Sequence, residues 1–491
     1  MSNDFLADES GSQNTVELSL YEVRRKIYPR SVSGVFAKWR VILIFATQIL
    51  FYGLPWLQWN DRQAVLFDLV SRKFYIFGLV LWPQDIIYLT LLLILSALAL
   101  FLFTAVAGRL FCGYACPQTV YTEIFMWIER KVEGDRFARI RLDGEEWPWN
   151  FRKWRLKLTK HALWILIALW TGFTFVGYFT PIQVLSAELI AFTLGPWQAF
   201  WLIFYSFATW GNAGFMREQV CKYMCPYARF QSVMVDKDTF VVTYDKTRGD
   251  PRGSRAKAAN HKELGLGDCV DCSICVQVCP TGIDIRDGLQ YMCIGCGACI
   301  DACDQVMDKV GYDKGLIRYT SERAMLEQMD NKKARHYIFR PRVLVYIGIM
   351  SVLLIAFASS VFLRNPLRVD VMRDRGALAR EVEGTMIENV YRLQIMNSSE
   401  SPMKVNIVAT GLPGMHILSS QGKEISEFIV NPSSNLLIPV KVRVAIDDVK
   451  TGTHPISFDI EATESGPNAS STLRVRDEKS CLLYTSDAAD E

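Results

Sequence analysis

Residues 269–304 read CVDCSICVQVCPTGIDIRDGLQYMCIGCGACIDACD. The cysteines form two runs with one grammar: Cys269-x2-Cys272-x2-Cys275-x3-Cys279-Pro280 and Cys293-x2-Cys296-x2-Cys299-x3-Cys303. This is the bacterial ferredoxin spacing for [4Fe–4S] clusters. Three closely spaced thiolates wrap three iron corners of a cube, and the fourth corner takes a ligand from further away. In two-cluster ferredoxins that fourth cysteine serves the other cluster. The spacing therefore assigns Cys269, Cys272, Cys275 and Cys303 to one cluster, and Cys293, Cys296, Cys299 and Cys279 to the other. Gly295 and Gly297 leave room for backbone to approach the sulfides. Zinc sites use four ligands, usually in two pairs, so two successive four-cysteine runs fit zinc poorly. Disulfides are rare on a cytoplasmic face. The second run ends in Asp304 where the first has Pro280, a residue that shapes a turn and ligates nothing.

Around this stretch the chain reads as a membrane protein with soluble parts. Half of its 491 residues are hydrophobic and 12% are aromatic. The net charge of +3 gives no case for nucleic acid as a partner. The opening MSNDFLADESGSQNTVELSLYEVRRKIYPR is polar and lacks the apolar core of a secretory signal. There are 13 cysteines. One of them, Cys481, lies in the tail CLLYTSDAADE (481–491), which resembles a translated sequencing-library adapter and is set aside. The other cysteines all fall between Cys112 and Cys303, in tight groups that suggest metal ligation more than a disulfide scaffold. No Rossmann glycine fingerprint and no P-loop is present, so direct NAD or ATP chemistry is not supported.

Five apolar segments have the length of about 20 residues that a bilayer requires: 39–59, 86–107, 162–182, 190–210 and 343–363. The fourth contains Gly195 and Pro196. Basic residues cluster before the first span, in the 108–160 loop and before the fifth span (Lys332, Lys333, Arg335, Arg340, Arg342), while the 60–85 and 183–189 connections are poor in them. The positive-inside rule then places the N-terminus in the cytoplasm and the C-terminus in the periplasm of a bacterium. The expected order is a cytoplasmic segment 1–38, four spans in two hairpins over 39–210, a cytoplasmic two-cluster ferredoxin (α+β) inserted over 211–340, a fifth span at 343–363, and a domain over 366–480. Within the 211–340 region, the front end DKTRGDPRGSRAKAANHKELGLGD reads as a basic, glycine-containing linker. In 366–480, NVYRLQIMNSS, MKVNIVATGLPG, FIVNPSSNLLIPVKVRV and HPISFDIEA alternate apolar and polar residues between turn signals, which predicts an immunoglobulin-like β-sandwich.

The two hairpins end alike: AGRLFCGYACP (107–117) and REQVCKYMCP (217–226). Pro117 and Pro226 disfavour helix at the preceding cysteine and suit the first turn of a new one. QTVYTEIFMWIERKVE predicts such a helix, amphipathic and lying along the membrane surface. Cys116 and Cys225 then sit near helix N-termini, which favours the thiolate. Thiolates and thioethers are soft ligands that suit Cu(I), and Met216 and Met224 lie close to the second pair. The alternative for Cys112, Cys116, Cys221 and Cys225 is a pair of buried, inert structural cysteines at each span end. Of the five histidines, His161 has no partner histidine within the spans and reads as an interfacial polar residue. His261 and His336 read as solvated, and His416 and His454 fall in the sandwich.

Four stretches carry a resemblance over about residues 20–478: GRLFCGYACPQTVYTEIFMWIER, CKYMCPYARFQSVM, the ferredoxin runs, and GLPG inside the sandwich. They resemble the FixG/RdxA/CcoG family of membrane polyferredoxins, which act in maturation of cbb3-type cytochrome oxidase. The resemblance implies a protein of the bacterial inner membrane that reduces Cu(II) to Cu(I) for the oxidase. By position, Cys112, Cys116, Cys221 and Cys225 become the candidate catalytic and copper-handling residues. Oxidase assembly factors, a copper transporter or a copper chaperone become the expected partners, with the electron donor unknown. Two other readings stay open. One is a quinol-linked electron-transfer subunit, and the other is a non-enzymatic copper chaperone or redox-sensing assembly scaffold.

Overall fold

The computed structural model describes residues 26–146, 150–256, 263–327, 337–373, 379–419, 422–424, 427–448, 452–464, 472–477 and 482–484. Among them, four helices are long and apolar enough to cross a membrane: Val35–Trp56, Pro83–Ala107, Phe151–Val176 and Pro341–Phe362. Their central parts are α1 (Val35–Gly53) and α2 (Ile86–Ala107), and α6 (Phe151–Val176) comes after three helices that follow α2. Those three are α3 (Leu110–Tyr114), α4 (Pro117–Glu133) and α5 (Arg136–Gly144).

The expected span at 190–210 takes a different form. α7 (Ile182–Ile190) stops, the chain turns through Phe192 (φ 56), and α8 (Pro196–Thr209) begins on Pro196. α8 then runs on as π-helical turns over Trp210–Met216. The shift follows from Pro196: its missing N–H and fixed φ suit a helix start and not a helix interior. α8 lies tightly against α6, where a Cβ on Gly172 would stand 2.5 Å from the Leu202 carbonyl oxygen. Small residues at such crossings let backbones approach within a bilayer. α4, expected to be amphipathic, uses its apolar face against α6. It buries Phe125 and Ile128 against Trp164 and Ala168 of α6, and Trp164 donates to the Phe125 carbonyl at 3.1 Å.

The soluble parts occupy opposite ends of these helices. At one end lies the cysteine-rich unit, built on strands Val241–Tyr244 and Ile317–Thr320 paired antiparallel, with helix Ala298–Val310 packed beside them. Asp301 of that helix accepts from the amides of Phe36 and Ala37 at 3.2 and 2.8 Å, which satisfies the first turn of α1. Phe240 donates its amide to the Val106 carbonyl (3.0 Å), fixing the unit to the end of α2. The segment expected as a basic linker is docked in its described part. Arg248 pairs with Asp268 at 2.5 Å, and Arg255 donates to the Asp268 carbonyl at 3.0 Å. Residues 211–240 pack with the membrane helices: α9 (Pro226–Met234) lies on α2, where the Tyr227 hydroxyl donates to Leu100 O at 2.8 Å.

At the other end are two apolar-faced sheets. One runs His416–Ser419, Asn435–Ala445, Met386–Asn397, Leu367–Arg373; the other runs Phe428–Val430, Met403–Thr410, Ser457–Glu464, Thr472–Asp477. Alternate residues Tyr391, Leu393 and Ile395 of the first face Val405, Ile407 and Phe458 of the second, all buried. Leu482–Tyr484 pairs with Thr453–Pro455. A small antiparallel sheet (Val65–Asp68, Lys73–Ile76, Leu79–Leu81) fills the connection between α1 and α2 and meets the sandwich. Trp59, Asn60 and Arg62 all reach the Glu400 carboxylate at 2.9 Å.

Just before α2, Asp85 holds Arg364 at 2.6 Å and Arg368 at 2.7 Å while its own side chain is 1% exposed. Replacing Asp85 by Ala leaves Arg364 buried without its counter-charge, a loss of about 3 kcal/mol or more. The unfolding midpoint of the detergent-solubilised protein is expected to fall, and the 364–400 region to become cleavable by protease. An unchanged midpoint would contradict this anchoring role.

Candidate metal centres

Two thiol-lined cavities lie in the cysteine-rich unit. One is bounded by Cys269, Cys272, Cys275 and Cys303, with Tyr244 and Arg286 beside them. The other is bounded by Cys275, Cys279, Cys293, Cys296 and Cys299. Each draws thiols from one run and a partner from the tail of the other run. Left-handed backbone at Asp271 (φ 52) and Ser273 (φ 54) bends the first loop, and Gly295 (φ 64) and Gly297 (φ 72) bend the second loop at the matching places. The space that Gly297 leaves is taken by protein: a Cβ there would lie 2.7 Å from Phe36 Cγ.

Among the described residues no three His, Cys, Asp or Glu side chains converge closely enough to hold a single ion. Thiols arranged around a box rather than a point suit a cube of iron and sulfide and not a lone zinc. Burial pushes the Cys275 thiol up to about 11 and the Cys293 and Cys303 thiols up to about 12. Thiolates in so dry a place need positive charge nearby, and bound iron provides it. The donor set fits two [4Fe–4S] groups.

The paired Cys-x3-Cys-Pro motifs have a common local structure. Each second cysteine, Cys116 or Cys225, is extended (φ −63 and −82) and immediately precedes a helix that opens on proline. Cys112 sits on α3, which starts after Gly108 (φ +56) turns the chain out of α2. Cys221 sits on a short π-helical turn, Val220–Met224. The hairpins meet through Gln231 of α9, whose amide lies 3.5 Å from Cys112 Sγ. Burial pushes the Cys221 thiol up to about 11, and Cys116, Cys112 and Cys225 push in the same direction. The four thiols therefore share one neighbourhood. The expectation that a helix N-terminus favours a thiolate at Cys116 is corrected here. Burial raises its pKa, and the amides of Thr119 and Gln118 offset only part of that.

The first motif packs directly on the second cluster loop. A Cβ on Gly113 would stand 2.7 Å from Ile294 O and 3.0 Å from Cys296 Cα, so only glycine permits this approach. Tyr114 donates its hydroxyl to Cys296 O at 3.1 Å. Gly113, Tyr114 and Gln231 are site residues that spacing did not single out, because their roles arise from segments over a hundred positions apart. Met224 is exposed and Met216 half-buried. His161 packs among Trp164, Trp210 and Phe215, with ring centroids 5.1, 6.3 and 5.8 Å away. His416 lies 3.3 Å from Glu424. His261 and His336 fall outside the described residues.

Comparison with known proteins matches these features one by one. Residues 216–322 match a family model described as a 4Fe-4S dicluster domain, and residues 89–133 match a 4Fe-4S binding domain. Residues 357–477 match the Ig-like fold at the C-terminus of FixG. The nitrogen fixation protein FixG of Rhizobium meliloti is 37% identical over 461 residues, covering 87% of each chain. Protein RdxB of Cereibacter sphaeroides is 41% identical over 407 residues, 81% of this chain and 85% of that one. A crystal structure of a FixG-related protein from Vibrio parahaemolyticus aligns with 24% of this chain and all of its own, at 20% identity and a TM-score of 0.18.

Proposed function

The chain belongs to the FixG family, and from that premise we propose that it reduces Cu(II) to Cu(I) for assembly of a cbb3-type cytochrome oxidase. It is an iron–sulfur electron-transfer protein with apolar helices of membrane-spanning length. In this reading α8 with its π-helical continuation is the fourth of five spans, the ferredoxin that follows it faces the cytoplasm, and the sandwich faces the periplasm of the bacterial inner membrane. Cys269, Cys272, Cys275 and Cys303 hold one [4Fe–4S] cluster, and Cys279, Cys293, Cys296 and Cys299 the other. Bound clusters supply one-electron transfer.

One observation carries the copper reading: the four thiols of the two hairpins, Cys112 buried and Cys116, Cys221 and Cys225 half-buried, share one neighbourhood, and the first motif packs through Gly113 on the loop that carries Cys296. Copper is the substrate. Gly113 and Tyr114 hold Cys112 against that loop. The thiols Cys112, Cys116, Cys221 and Cys225 are soft donors, so they prefer Cu(I) to Cu(II) and draw the reduction forward. X-ray absorption on Cu(I)-loaded protein tests this. A sulfur-only shell is expected, and a nitrogen or oxygen shell unchanged by Cys→Ser substitution at the four positions would overturn it. In cells, deleting the gene should leave the oxidase short of copper.

The raised thiol pKa values set a pH dependence. Cys221, pushed up to about 11, and Cys116, raised by burial, hold protons at neutral pH. Cu(I) must displace them, so its affinity should climb as pH rises, by about tenfold per pH unit for each proton released. Chelator competition between pH 6.5 and 8.5 measures the slope, and a flat profile would count against thiol ligation.

A second reading has its own support. A model described as a 4Fe-4S binding domain covers Cys112 and Cys116, and the four thiols, like the ferredoxin thiols, do not converge on a point. They would then hold a third cluster. Iron analysis separates the two, with about eight iron atoms per chain against about twelve.

A further inference from the structure

A cavity of about 970 Å³ lies where α2 meets the cysteine-rich unit, and no step above uses it. Ala107, Gly108 and Arg109 form one side, and residues 235–244 form another. Cys293, Gly295 and Tyr319 close a third side. Its size is at the upper end for cofactor sites. Cys293 also bounds the second thiol cavity, so an occupant would lie against the wall of that cluster site.

Charge and shape define the occupant. Arg109, Lys237 and Lys246 line the cavity; the Arg109 guanidinium donates to the Tyr291 carbonyl, and among the described residues neither lysine has an ion pair. The Arg109 Nε atom is buried without a hydrogen-bond partner. Of the two lining carboxylates, Asp236 is already engaged by Arg340 at 2.9 Å, which leaves Glu322. The walls between are aromatic and apolar, including Tyr244, Tyr291, Leu289 and Met325. Both lysines and Thr247 are exposed, so the mouth of the cavity is polar and cationic.

A hydrated copper ion is repelled by this rim. A nicotinamide gives its electrons as a hydride, which one-electron acceptors cannot take. A quinol is neutral, and it would leave three cations facing a single free carboxylate, Glu322. A reduced flavin nucleotide meets every condition: a planar aromatic ring, an anionic phosphate, and electrons released one at a time.

We infer that this cavity binds a reduced flavin nucleotide and is the electron-entry site. The anionic flavin hydroquinone becomes oxidised flavin by losing two electrons and its N5 proton. The two oxidised [4Fe–4S] clusters take one electron each, the Glu322 carboxylate accepts the proton, and no bond to protein forms. The inference rests on the iron–sulfur part of the function above and not on copper as the acceptor.

The test uses purified full-length protein with its clusters intact and no copper present. Flavin mononucleotide, riboflavin and a short-chain ubiquinone are titrated separately, read by quenching of flavin fluorescence and by equilibrium dialysis. Saturable binding of about one flavin mononucleotide per chain is expected, with riboflavin, which lacks the phosphate, at least tenfold weaker. The variant Lys237→Glu/Lys246→Glu should weaken the nucleotide at least tenfold with iron content unchanged. Equal affinity for riboflavin, no saturable binding, or displacement of flavin by the ubiquinone would each overturn the proposal, whatever the variant does. Copper is absent throughout, so failure here leaves the cupric-reductase reading intact, and failure of that reading leaves this result standing.

Discussion

Changing Cys303 to Ala should halve the iron, from about eight to about four atoms per chain, and the cluster lost should be the one that Cys269, Cys272 and Cys275 hold. Cys303 lies at the far end of the second run, yet it borders the cavity of the first run's thiols. Cys279→Ala should also leave about four, but with the opposite cluster surviving. Spectra of the two reduced variants should therefore differ from each other and add up to the wild type, minus the coupling between paired clusters. Retention of about eight iron atoms in either variant would contradict the crossed ligation. A value near twelve in the wild type would favour a third cluster at the paired motifs.

The second large effect is expected from Cys→Ser at Cys112, Cys116, Cys221 and Cys225 together. Serine is nearly isosteric, so the packing of Gly113 on the Ile294 carbonyl and of Tyr114 on the Cys296 carbonyl is retained. Iron should stay at about eight atoms per chain. Cu(I) production should fall at least tenfold, because the soft donors that stabilise the reduced ion are gone. An unchanged copper yield would make the four cysteines structural. Loss of iron together with copper activity would instead point to the cluster alternative.

Much of this architecture was legible because its signals are local. Cluster spacing is written within a dozen residues, and the sandwich strands alternate cleanly, as in Tyr391, Leu393 and Ile395 facing the core. Apolar runs such as α2 need no tertiary information. The failures have physical reasons. The strands of 65–81 mix core-facing and exposed apolar residues, with Val65 and Val80 buried and Ile76 exposed, and the turn between the first two exposes Leu69 and Val70, which blurs their period. The shift of α8 depends on one Gly-Pro step inside an apolar run. The thiol state at Cys116 is a contest between burial and helix-end amides, and its outcome depends on packing that no single segment encodes. Asp301, which holds α1 to the cysteine-rich unit, acts across more than 260 positions.

Single-turnover copper reduction tests the account most directly. Protein with both clusters reduced, and freed of reductant, is mixed anaerobically with Cu(II) in the presence of a Cu(I) chelator. The account predicts about two Cu(I) per chain, one per cluster, formed as the oxidised-cluster absorbance returns. Clusters that stay reduced, or that reoxidise without yielding Cu(I), would contradict it.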